Sequence, residues 1–224
     1  MFKPPDLELD RRAFGLGLLG AAVATPSAFA QARPFTIVAL GDSLTAGFGL
    51  RRSEAFPARL DAILQMARFP VRVVNAGLSG DTSAGALARF DFAVPAGTGG
   101  LLLGIGGNDM LQGLPPAAAM ANIEAMIVRA KARGVRVALL GMRAPTNWGR
   151  AYRTAFDAIY PTLARRHGLA LDPFLLQGVA LDPALNLADG IHPNVVGAQR
   201  IANRLAPFVV RSFGLRPLSS PPTR

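Results

Sequence analysis

Short apolar runs alternate along the chain with longer segments whose apolar residues recur every three to four positions. Residues 35–40, 71–74, 101–105, 135–140 and 169–171 read as strands. The segment 53–68 places Phe56, Leu60, Ile63 and Leu64 on one helical face. Its Pro57 falls in the first turn, where a missing N–H costs little. A shorter helix follows Asp81. The helix over 116–133 ends on Arg129, Lys131 and Arg133 before Gly134, and cations followed by glycine are a stop signal. Residues 151–167 carry Tyr152, Phe156, Ile159, Tyr160 and Leu163 on one face, with a kink expected at Pro161. A last helix covers 194–210. The strand runs are apolar without alternation, the pattern of a parallel sheet buried on both faces. The fold class is therefore α/β, with function expected in loops beyond the carboxyl ends of the strands.

The two ends depart from this pattern. Asp10-Arg11-Arg12-Ala13-Phe14 precedes a Gly- and Ala-rich apolar run, then Pro26 and Ala28-Phe29-Ala30, a small-x-small cleavage pattern. Residues 1–30 thus read as an export segment whose paired arginines resemble a twin-arginine signal. An ordinary secretory signal with a chance arginine pair is the alternative. The run is too short and glycine-rich to remain as a membrane span. Residues 31–215 form one domain, and 216–224, with Pro217, Ser219, Ser220, Pro221 and Pro222, read as a flexible tail. The expected location is the periplasm or the exterior, by the twin-arginine route.

Composition narrows the chemistry. Half of the 224 residues are hydrophobic and 17% are charged, which suits a globular domain. The absence of cysteine excludes disulfides, thiolate nucleophiles and cysteine-held metals. Two histidines cannot build a His-rich metal site, and no cofactor or metal is expected. The net charge is +10, and 22 of the 24 cations are arginine. These are scattered, no run exceeds two, and no aromatics interleave with them. A solvated basic surface is expected, not a nucleic-acid partner. The charges of residues 1–30 cancel, so the whole excess lies beyond them.

The first strand runs out through Gly41-Asp42-Ser43-Leu44-Thr45-Ala46-Gly47, which puts Ser43 where a parallel sheet presents its active site. A serine hydroxyl needs a base to take its proton. His167 ends a helix between Arg166 and Gly168 and reads as structural. His192 stands in Asp189-Gly190-Ile191-His192-Pro193, where a carboxylate three residues away can hold one ring nitrogen and leave the other for the serine. The order Ser, Asp, His matches α/β-hydrolases, but no Gly-x-Ser-x-Gly elbow occurs.

Four ordered blocks resemble those of the GDSL, or SGNH, hydrolase family. They are Gly41-Asp42-Ser43-Leu44, the stretch from Asn75 to Thr82, Gly106-Gly107-Asn108-Asp109, and Asp189 to Pro193. The segments 142–150 and 158–161 are similar to the bacterial periplasmic thioesterase, arylesterase and lysophospholipase branch. The resemblance spans roughly 35–208 and is poorest over 92–100. It implies a three-layer α/β/α, flavodoxin-like architecture with a five-stranded parallel sheet. It implies a serine hydrolase of carboxylic esters or thioesters acting through an acyl-Ser43 intermediate, with His192 as base and Asp189 as its orienter. The oxyanion hole would use the N–H groups of Ser43 and Gly80 and the side-chain amide of Asn108, with Gly77 as the alternative backbone donor. Asp42 and Asp109 read as loop-ordering groups.

Apolar residues near these blocks suit an acyl or aryl ester: Phe48, Leu50, Met110, Leu111, Leu114, Pro145, Trp148 and Ile191. The stretch 110–116 is expected to form a mobile lip over the acyl site. Two other readings stand beside this one. A carbohydrate O-deacetylase of the same family predicts a shallow polar pocket. An inactive scaffold that binds the cell envelope predicts an unreactive Ser43.

Overall fold

A computed structural model describes residues 34–218. The export-segment pattern of residues 1–30 lies outside them, as does the tail beyond 218. The five strands are β1 (Phe35–Gly41), β2 (Val71–Gly77), β3 (Gly100–Gly104), β4 (Arg136–Leu140) and β5 (Ala170–Asp172). All pairings are parallel, in the order β2-β1-β3-β4-β5. β3 is buried at every position, and β1 from Ile37 onward. Helices therefore cover both faces, as continuous apolar runs require. β2 departs from that expectation. It lies at the sheet edge, and its burial alternates, with Val71 and Val73 covered and Arg72 and Val74 open.

The helices are α1 (Ser43–Ala46), α2 (Phe56–Met66), α3 (Ser83–Ala88), α4 (Phe90–Ala93), α5 (Gly107–Leu111), α6 (Pro116–Ala132), α7 (Gly149–Asp157), α8 (Ile159–His167) and α9 (Val195–Phe213). α2 packs on α9, while α6 packs on α3, α7 and α8, so the layers are α/β/α. The long pattern over 151–167 is two helices, not one kinked helix. Proline at 161 cannot donate to the carbonyl of residue 157, and the chain breaks at Ala158, leaving Pro161 in the first turn of α8. α9 begins where Asn194 Oδ1 accepts from Val196 and Gly197 N–H. It passes through Pro207 and ends at Phe213, three residues beyond the expected end, with Gly214 after it in the left-handed conformation.

Arg204 of α9 grips Asp172 at the end of β5 with two hydrogen bonds of 2.5 and 2.9 Å. The described part of the tail reaches the turn after α2, where Leu218 N–H donates to Arg68 O at 2.9 Å. Among the described residues no helix is long and apolar enough to cross a membrane.

Candidate active site

The carboxyl end of β1 is crowded. A Cβ at position 41 would collide with Thr45 and the carbonyl of Gly104, so only glycine lets β1, β3 and α1 converge. Asp42 caps α1, its Oδ1 accepting from Leu44 N–H at 3.0 Å. Ser43 is then the first residue of α1, and its N–H has no intrahelical acceptor. Asp42 is buried beneath it, and burial raises its carboxyl from 3.8 to about 6 against the opposing pull of the Leu44 N–H.

A second loop brings the imidazole. Asp189 Oδ1 accepts from Ile191 N–H (2.9 Å) and His192 N–H (3.0 Å), and Oδ2 lies 2.7 Å from His192 Nδ1. Gly190 makes the turn possible at φ +68°. The bonds from His192 backbone and ring, then from Ile191, hold the Asp189 carboxyl down to about 2. An ionised carboxylate can only accept, so Nδ1 carries the proton and Nε2 presents a lone pair. Nε2 stands 2.9 Å from Ser43 Oγ, whose hydroxyl donates to it. The loop is locked from behind. Asn194 Nδ2 donates to Ala184 O and Asn186 O, and Leu187 N–H donates to His192 O. Phe48 covers one side of the imidazole, with ring centroids 4.5 Å apart. His167 lies elsewhere, at the end of α8, bonded to Glu124 at 2.7 Å.

The two candidate glycines of the second block have different surroundings. Gly77 N–H already donates to Asn75 Oδ1 at 2.9 Å, and a Cβ there would strike the backbone of Thr45 and Ala46. Gly77 is a close-packing glycine with its N–H occupied. Gly80 sits at φ +83° with open space around it and lines the same cavity as Ser43. Its N–H has no acceptor among the described residues. Asn108, in the first turn of α5, donates one Nδ2 hydrogen to Asp81 O at 2.8 Å, which fixes the amide's orientation. Asp109 is buried and accepts from Ser83 N–H (2.7 Å) and Ser83 Oγ (2.6 Å), as a loop-ordering group would.

Ser43, Gly80, Asn108 and His192 line a cavity of about 540 Å³ with a mainly apolar wall. Met110, Leu111, Pro145, Ile191 and Phe48 are on that wall. Leu114 and Trp148 are not. Trp148 stacks on Tyr152 (5.1 Å, 29°) and covers Gly113, while Tyr152 OH donates to Leu114 O at 2.9 Å. Within 110–116, the stretch expected to form a lip, Met110 is buried inside α5 and Leu114 N–H donates to Asp109 O, while Leu111 to Gly113 are exposed. Leu50 also lies off this cavity, packed against the core. Residues that pattern did not single out complete the wall: Met142, Phe174, Leu176, Ala180 and Leu181. Most come from aperiodic loops, which carry no hydrophobic period to read.

The model of the GDSL-like Lipase/Acylhydrolase family matches residues 39–200. The chain is 38% identical over 192 residues to Esterase TesA of Pseudomonas aeruginosa, covering 85% of this chain and 94% of that one. It is 38% identical over 179 residues to thioesterase 1/protease 1/lysophospholipase L1 of Escherichia coli K12, covering 80% and 85%. The crystal structure of TesA superposes with a TM-score of 0.75 at 37% identity, over 80% of this chain and 99% of that one.

Proposed function

The chain belongs to the GDSL-like lipase/acylhydrolase family and is an esterase of it; from that premise we propose that it hydrolyses carboxylic esters and thioesters through an acyl enzyme on Ser43. Ser43 Oγ attacks the acyl carbon while His192 Nε2 takes its proton. The Asp189 carboxylate keeps Nδ1 protonated and stabilises the imidazolium that forms. The oxyanion is received by Ser43 N–H, Gly80 N–H and the second Nδ2 hydrogen of Asn108. The bond to the leaving oxygen or sulfur breaks, and that atom departs with the proton from Nε2. Water then attacks the acyl enzyme, gives a proton to Nε2, and the acid leaves as Oγ recovers the proton.

The observation that carries this reading is the unbroken relay from Ser43 Oγ to His192 (2.9 Å) to Asp189 (2.7 Å) beside an apolar cavity. That wall suits an acyl chain or aryl group. It argues against a sugar deacetylase, which needs a shallow polar pocket. Relatives named arylesterase and thioesterase 1 support the ester and thioester range. The pattern over residues 1–30 supports an exported enzyme.

The test is a hydrolysis profile over aryl esters, acyl thioesters and acetylated sugars, with Ser43→Ala alongside. Ser43→Ala is expected to lower kcat by about 10⁴-fold or more while circular dichroism stays native. A fluorophosphonate should add to Ser43 in the native protein and not in the variant. A Ser43→Ala protein with near-native turnover would defeat the proposal, as would a profile confined to acetyl groups on sugars.

A further inference from the structure

Arg89 stands at the junction of α3 and α4, away from the cavity wall, with a side chain about 22% exposed. Its guanidinium makes three directed bonds. Nε donates to Asp81 Oδ2 (2.7 Å), Nη1 to Ala76 O (3.0 Å) and Nη2 to Gly41 O (3.1 Å). Ala76 and Gly41 sit in the last positions of the β1–β2 ladder, and Gly41 O also accepts from Leu78 N–H at 3.0 Å, so Arg89 adds a second donor to that carbonyl. Only a planar fork reaches two such carbonyls and a carboxylate together; an ammonium on a flexible stem does not.

The three partners bracket the proposed oxyanion hole. Gly41 lies two residues before Ser43. Ala76 is the penultimate residue of β2, which runs out into the turn at Gly80. Asp81 follows Gly80 directly, and its backbone carbonyl accepts the Asn108 amide. A second observation shows that Asp81 is seated. Gly85, inside α3, occupies a position where any Cβ would strike Asp81 Oδ1. Glycine in a helix interior is unfavourable relative to alanine, and here it leaves room for the carboxylate that Arg89 holds.

We infer that Arg89 is a positioning residue that sets the three oxyanion donors in register, acting through Asp81 and the two strand ends without touching substrate. The inference rests on the proposed acyl-enzyme reading. Misplacing donors raises the barrier to the tetrahedral intermediate and leaves ground-state binding in the apolar cavity nearly intact.

Arg89→Lys and Arg89→Met are to be measured with the intact protein on a soluble aryl ester. A loss of roughly 10- to 100-fold in kcat is expected for Met, with KM within about twofold. Lys, which keeps the charge beside Asp81 but loses the fork, should recover part of it. Affinity for a boronic acid that forms a tetrahedral adduct should fall in parallel with kcat/KM. The double variant Arg89→Lys/Asn108→Ala should lose less than the product of the single losses, because both act on one hole. A merely structural arginine would instead lower the thermal midpoint and leave kcat and boronate affinity unchanged. That result overturns the inference, as does strict multiplicativity with Asn108→Ala. If Met does not fold, Lys decides; if neither folds, Arg89 belongs to the fold alone and the positioning role is overturned. Inactivity of Ser43→Ala with native kinetics for Arg89→Lys would reject this inference and leave the acyl-enzyme reading standing.

Discussion

Two carboxylates near the serine are driven in opposite directions, and the cause is local. Asp189 receives three hydrogen bonds and is held at about 2, so it remains ionised wherever the enzyme works. Its stabilising effect is present above the unfolded value of 3.8 and is lost as pH falls towards 2. Asp189→Asn removes the acceptor that fixes the Nδ1 tautomer. A fall of about 10⁴-fold in kcat is expected, and a loss below tenfold would remove Asp189 from the relay. Asp42 is buried, and desolvation outweighs its backbone donors, so its carboxyl rises to about 6. The folded protein then holds a proton that the unfolded chain releases at lower pH, so stability is greatest below about 4 and declines as pH climbs through 6. The shift corresponds to about 3 kcal/mol. Urea unfolding of Asp42→Asn should match the native protein near pH 4 and exceed it at pH 7. A difference that does not change with pH would contradict this.

At the scale of elements, legibility followed length and period. The strands are legible as short apolar runs, down to the three residues of β5, and the long helices because three-to-four spacing extends over several turns. α4 and α5 have four and five residues, too few for a period. The edge position of β2 is a property of sheet order, which no single strand reveals. Within the site, Ser43, His192 and Asp189 stand in compact blocks, and the structure brings them together. Leu114 follows the third block and Trp148 lies in the 142–150 segment, yet their environment is a local stack with Tyr152. Sequence proximity does not say which way a side chain turns. The second block offers a sharp comparison. Gly77→Ala drives a Cβ into the backbone of α1, whereas Gly80→Ala meets open space but requires φ +83°. Gly77→Ala should cost more stability, about 1–3 kcal/mol by overpacking, and Gly80→Ala about 1–2 kcal/mol by strain. Activity should reverse the order, with Gly80→Ala losing more kcat because its N–H is the proposed oxyanion donor. Thermal midpoints and ester hydrolysis of both variants check this; a greater kcat loss in Gly77→Ala would reassign the donor.

At the scale of the molecule, the preference for arginine over lysine has more behind it than a solvated basic surface. Arg89, Arg133, Arg136, Arg200 and Arg204 each donate to a backbone carbonyl of another element. Three of them also reach a carboxylate, at Asp81, Asp91 and Asp172. These forks clamp strand ends, helix ends and loops, a task that oxidised cysteines share in many exported domains. A chain with no cysteine gains nothing from an oxidising compartment. Its core and its arginine clamps can be completed before export, as the twin-arginine route requires. The sequence-level reading of Arg11-Arg12 can therefore be tried on the whole protein. Arg11→Lys with Arg12→Lys keeps the segment's charge and apolar run but removes the pair itself. The expected outcome is folded, active esterase retained in the cytoplasm, measured by fractionation and hydrolysis of an aryl ester in each fraction. Undiminished export of the doubly substituted protein would assign the segment to the general secretory route, where the chain crosses unfolded and the arginine clamps form only afterwards.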